Sequence, residues 1–148
     1  MYTFFKFAHI GAAIVWLGGM TFMLLALRPS LGLVVAPPQR LSLLVAVLSR
    51  FFVLVWIAVG TLLLSGFFMY SDAPGQAAPV GWHLMSGIGV LMTLIYAHLY
   101  FAPYRRLRLA VSAADWPGAA RASSLIARLV MVNFILGWLA LAVISFLA

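Results

Sequence analysis

The sequence predicts an all-α membrane protein, a four-helix transmembrane bundle in up-down order, and three observations carry that reading. Hydrophobic residues make up 66% of the 148 and charged residues only 7%, far less charge than a water-soluble fold of this size displays. Mean hydropathy is +1.17. Four apolar stretches are each long enough for a helix to cross a hydrocarbon core of roughly 30 Å, which takes about 20 residues. Nearly all the positive charge falls in the segments between those stretches.

Taken in order, the first span covers 2–27 and contains only Lys6 and His9 as ionisable groups. Its length, and Trp16-Leu-Gly-Gly19 in its middle, do not read as a cleavable signal peptide. A connection from Arg28 to Arg50 follows, broken at Pro37-Pro38, and from 39 onward it is helix-compatible and leads into the second span, 51–70. Ser71 to Pro79, with two prolines and a glycine, reads as a plain loop. The third span, 80–102, holds His83 and His98. Pro103 opens the next connection, in which Asp115 ahead of Pro117 reads as a helix start. From 118 a basic lead-in runs to Arg128, and the fourth span covers 129–147. The whole chain, 1–148, forms one domain.

Arg28, Arg40, Arg50, Arg105, Arg106, Arg108, Arg121 and Arg128 lie on one side of this layout, and only Lys6 lies near the other. Positive loops stay inside, so both termini are expected outside and the arginine loops in the cytoplasm, most simply at a bacterial inner membrane. The net charge of +7 is therefore lipid-directed and does not point to nucleic acid. The absence of cysteine excludes disulfides, thiolate metal sites and iron–sulfur clusters. No catalytic triad, carboxylate pair or phosphate loop is present, and the only acids are Asp72 and Asp115.

The two halves share a layout: a histidine near the start of a span, an arginine loop, a proline break and a basic lead-in ending in arginine. His9 to Arg50 is 41 residues and His83 to Arg128 is 45. This suggests a parallel repeat of two helix pairs about an axis along the membrane normal, with His9 and His83 at similar depth.

An ionisable residue inside a span is a functional candidate because lipid penalises it. On a helix, His9, Ala12, Ala13, Trp16, Gly19, Met20 and Met23 share one face. In the third span, Ser86, Gly87, Val90, Thr93 and Ala97 extend the face below His83. Neutral imidazoles on facing helices are suited to be axial ligands of a haem, so the leading expectation is a b-type haem between His9 and His83. Trp16 and Gly19 would line it, and electrons would pass to a quinone or a periplasmic partner. His98 lies about 22 Å along the helix from His83 at 1.5 Å per residue, so it would serve a separate site. Tyr96, Tyr100 and Tyr104 around it read as an interfacial aromatic belt.

Copper is the alternative cofactor or cargo: His9 with the thioethers of Met20 and Met23 offers soft ligands for Cu(I). The plainer reading of the histidines is that they join helices, which would make the chain a cofactor-free accessory subunit or homo-oligomer. Asn133, on one face with Gly137 and Ala140, reads as an interhelical hydrogen bond at a close crossing.

The run His9-Ile-Gly-Ala-Ala-Ile-Val-Trp16-Leu-Gly18-Gly19 resembles the opening span of the copper resistance protein D (CopD-type) membrane family. There a histidine is followed by tryptophan seven residues later and then by glycines. The four-span layout and Gly81-Trp82 at the start of the third span also resemble the HemJ-type protoporphyrinogen oxidases. In those enzymes His9 and His98 have counterparts, but a lysine stands near the position of Ser86, a departure that argues against that chemistry here. The resemblance implies copper handling or haem-linked redox chemistry.

Overall fold

The computed structural model describes residues 1–71 and 79–147. Four long helices account for nearly all of it: α1 Tyr2–Leu31, α2 Pro37–Ser71, α3 Val80–Ser112 and α4 Trp116–Leu147. Each is long and apolar enough to cross a membrane. The expected loop between Ser71 and Pro79, with Asp72, lies outside the described residues.

The helices run further than proline placement in the sequence suggests. Pro37 stands in the first turn of α2 and does not break it, because a proline there forgoes no intrahelical bond. Pro103 was expected to end the third span, yet α3 continues to Ser112. Residues Tyr100–Tyr104 form a π-turn around that proline. An α-turn would drive the proline ring into the carbonyl four residues back, and the wider turn relieves that clash. Met23–Leu27 of α1 form a second π-turn, closed by the Arg28 amide donating to the Met23 carbonyl. It carries α1 past the expected end at Leu27.

Asp115 starts α4 as expected, its Oδ1 accepting from the Gly118 amide at 2.9 Å. Just before it, Ala114 sits at φ 54°, the left-handed residue that ends α3. The Asp115 amide returns to the Ala110 carbonyl at 2.9 Å, closing the helix end in the manner usually served by glycine.

Sequential helices pack as two antiparallel hairpins, α1 on α2 and α3 on α4, and α4 also touches α1 and α2. The core is apolar: Trp16, Met20, Leu48, Phe52, Val55, Met92, Tyr96 and Ile126 are buried. The outside is apolar too, with Phe7 76% and Leu94 63% exposed. An apolar exterior around an apolar core is stable only when the surrounding solvent is lipid. The chain is a four-helix membrane bundle.

Candidate functional site

The polar groups inside this bundle are few, and His9, Asn133 and Tyr96 find partners on a neighbouring helix. His9 is half-buried on α1, and its Nδ1 lies 2.9 Å from Ser65 Oγ on α2. The Ser65 hydroxyl donates its one proton to the Thr61 carbonyl. With that proton directed to Thr61, the Ser65 oxygen can accept from His9 in the tautomer that carries the ring proton on Nδ1, the form in which Nε2 keeps its lone pair. Gly66 lies beside the ring, and a Cβ there would meet His9 Cε1 at 3.5 Å, an ordinary van der Waals contact.

His83 is exposed at the start of α3, with its ring edge-on to Tyr70 of α2 and Nδ1 3.4 Å from the tyrosine hydroxyl. Both histidines thus lean on α2. The α3 face expected beneath His83 turns outward: Ser86, Gly87 and Val90 are exposed, whereas Gly81, Met92, Tyr96 and Leu99 face the core. His98 is also exposed.

The stripe expected on α1 does face inward for most of its length. Ala12, Trp16, Met20 and Met23 are buried, His9 and Gly19 are half-buried, and Ala13 is exposed. Gly19 lies under the Phe51 ring of α2, so close that a Cβ would overlap it. Leu17, Met92 and Met20 all pack on Gly137 of α4, where a Cβ would stand 2.9 Å from Leu17 Cδ1, 3.4 Å from Met92 Cε and 3.9 Å from Met20 Cε. One turn along α4, Asn133 Nδ2 donates to the Met92 carbonyl at 3.0 Å, the expected interhelical bond. Its Oδ1 is buried without a partner. Among the described residues no group of three or more His, Cys, Asp or Glu is placed to hold a metal ion.

Beside this stripe lies an aromatic cluster that the sequence reading assigned to the membrane surface. Tyr96 and Tyr104 are 2% and 3% exposed, so they are core residues and no interfacial belt. Tyrosines four residues apart line one helix face, and here that face meets α2. Tyr96 donates to the Phe52 carbonyl at 2.8 Å. Its ring is edge-on to Trp16, Phe52 and Trp56 at centroid distances of 6.1, 5.7 and 5.0 Å. Phe52 and Trp56 also meet Tyr100, and Phe52 meets Tyr104. The spacing of Phe52 with Trp56, and of Tyr96 with Tyr100 and Tyr104, was the signal available for this cluster in the sequence.

At the arginine-bearing end, Arg28 reaches across from α1 and donates through Nη2 to the Ser123 carbonyl and, at 3.2 Å, to its hydroxyl. In the sequence Arg28 reads only as a loop charge. The π-turn that precedes it had no local signature of its own.

A family model described as copper resistance protein D matches residues 45–147. The matched stretch takes in most of α2 and all of α3 and α4, with His83, Met92, His98 and Asn133; His9, Met20 and Met23 precede it. No curated protein and no solved structure matches the chain.

Proposed function

The chain belongs to the copper resistance protein D family, and from that premise we propose that it handles copper inside the membrane. Copper is the cargo, met by His9, Met20 and Met23 along α1. The observation that carries this reading is the inward turn of the thioethers: Met20 and Met23 are 2% and 3% exposed, and Met92 of α3 is buried as well. Thioethers are soft ligands suited to Cu(I) and exchange it without a proton. His9 would contribute Nε2, the nitrogen left free when Nδ1 donates to Ser65, in the arrangement by which a second hydrogen bond orients a metal-binding imidazole. By the positive-inside rule the arginine end faces the cytoplasm, so this stripe descends from the outer side.

Haem fits this arrangement less well. An axial pair from His9 and His83 would need a shared space, but each ring is engaged by a different residue of α2, His9 by Ser65 and His83 by Tyr70. His83 stands exposed against Tyr70. A second reading has its own support: His9 with Ser65 and His83 with Tyr70 both join helices, as a cofactor-free accessory subunit would require.

The deciding experiment titrates detergent-purified protein with Cu(I) against a chromogenic chelator and compares it with the Met20→Leu, Met23→Leu double variant. Copper handling predicts at least a tenfold loss of affinity in the variant. Equal affinity would overturn the methionine path, and no Cu(I) binding by the parent would favour the accessory reading. A dithionite-reduced absorption spectrum of the same sample tests haem, whose sharp α band would displace the copper proposal.

A further inference from the structure

The arginine-bearing end of the bundle holds a cavity of about 220 Å³ between the end of α1, the start of α2 and α4. Its polar lining is Arg28, Arg40 and Ser123, set among Leu31, Leu41 and Leu44. Both arginines are half-buried. Arg28 is held in place by the carbonyl and hydroxyl of Ser123, which are neutral acceptors, so its charge stays uncompensated. The only carboxylate side chain among the described residues, Asp115, lines a different cavity at this end, with Arg106 and Arg121. Two guanidinium groups held in a partly desolvated hollow with no acid present form an incomplete site, because each retains donors suited to a bidentate oxyanion.

We propose that this cavity binds a phosphate group. Its volume is below the roughly 300 Å³ at which whole-ligand pockets begin, which suits a headgroup and not a bulky organic molecule. Its setting favours a phospholipid as the source. The connection that borders it, from Gly32 to Ala36, exposes Leu33 at 84% and Val35 at 87%. Such residues at a helix end sit in the bilayer interface, where headgroup phosphates lie. Ser123 fixes one guanidinium in advance, which lowers the ordering cost of binding. Arg28, which meets Ser123, directly follows the π-turn at Met23–Leu27. This inference stands independently of the copper reading.

Delipidated protein in neutral detergent, titrated with short-chain phosphatidylglycerol and separately with inorganic phosphate, tests it. Arg28→Gln, Arg40→Gln and Arg50→Gln each remove one charge, so the net charge falls equally in all three. Arg50 is exposed and about 15 Å along α2 from Arg40 at 1.5 Å per residue. Saturable phosphatidylglycerol binding that weakens tenfold or more in Arg28→Gln and Arg40→Gln, but under threefold in Arg50→Gln, is the expected result. Inorganic phosphate that binds as tightly, with the same dependence on Arg28 and Arg40, would assign the site to the free anion and keep the chemistry. Equal weakening in all three variants, or no saturable binding of either probe, would overturn the proposal. Should Arg28→Gln fail to fold, Arg40→Gln decides alone, since it leaves the Arg28–Ser123 contact intact. Arg28→Lys keeps the charge but loses the fork, and should bind more weakly than the parent.

Discussion

Replacing Gly19 by alanine should destabilise the bundle, while the same change one residue earlier should not. A Cβ at Gly19 overlaps the Phe51 ring of α2, whereas a Cβ at Gly18 has nothing within 4 Å. Both substitutions gain roughly 1 kcal/mol of helix propensity, so that term cancels in the comparison. What remains is overpacking, which typically costs about 1–3 kcal/mol. Phe51 is half-buried and its ring lies 5.9 Å from that of Phe52, so moving it aside gives up packing. Gly19→Ala should therefore fall about 1–3 kcal/mol below Gly18→Ala. Reversible unfolding of the detergent-solubilised protein by dodecyl sulfate, followed by tryptophan fluorescence, measures the difference. Adding Phe51→Ala should erase most of it, because the double-mutant cycle then contains no ring to displace. Two alanine variants of equal stability would refute the close approach of α1 to α2 at this point.

Three further outcomes follow from the same packing. Tyr96→Phe keeps the ring contacts but loses the bond to the Phe52 carbonyl, and should cost about 0.5–1.5 kcal/mol in the same unfolding assay. Asn133→Asp should cost about 2.5 kcal/mol or more at neutral pH, a charge at mid-span being penalised on that scale; Asn133→Leu should cost less. The Asn133→Asp deficit should shrink as pH falls, because a protonated carboxyl recovers a donor for Met92 and its acid form is the one the folded state favours. Ala114→Gly should raise stability by about 1 kcal/mol, since glycine occupies the left-handed conformation without the Cβ conflict; calorimetry showing no gain would place the strain elsewhere.

The helices were legible in the sequence because lipid demands runs of apolar residues with no second interpretation at that length. The inward stripe of Trp16, Met20 and Met23 was legible from its period on one helix. The orientation of α3 was not. Both of its faces are apolar, so periodicity alone could not decide whether His83 or Tyr96 faced the core. The bundle resolves it through groups that need partners: the Tyr96 hydroxyl and the Asn133 amide find carbonyls on neighbouring helices, while Val90 and Leu94 can meet lipid. Pro103 misled for a related reason. Proline stops an α-ladder, but a wider turn accommodates it, and nothing near Pro103 in the sequence announces that turn.

The two π-turns stand at matching places, after 21 helical residues in α1 and after 20 in α3. A π-turn fits its extra residue into a single wider turn by rotating less per residue, so the helix beyond it keeps the facing it would have without the addition. Each hairpin therefore holds one residue more ahead of its arginine-bearing end than an α-ladder of the same facing would carry. Deleting one residue from Met23–Leu27 should close that wide turn into an α-turn and leave the face presented by Arg28 unchanged.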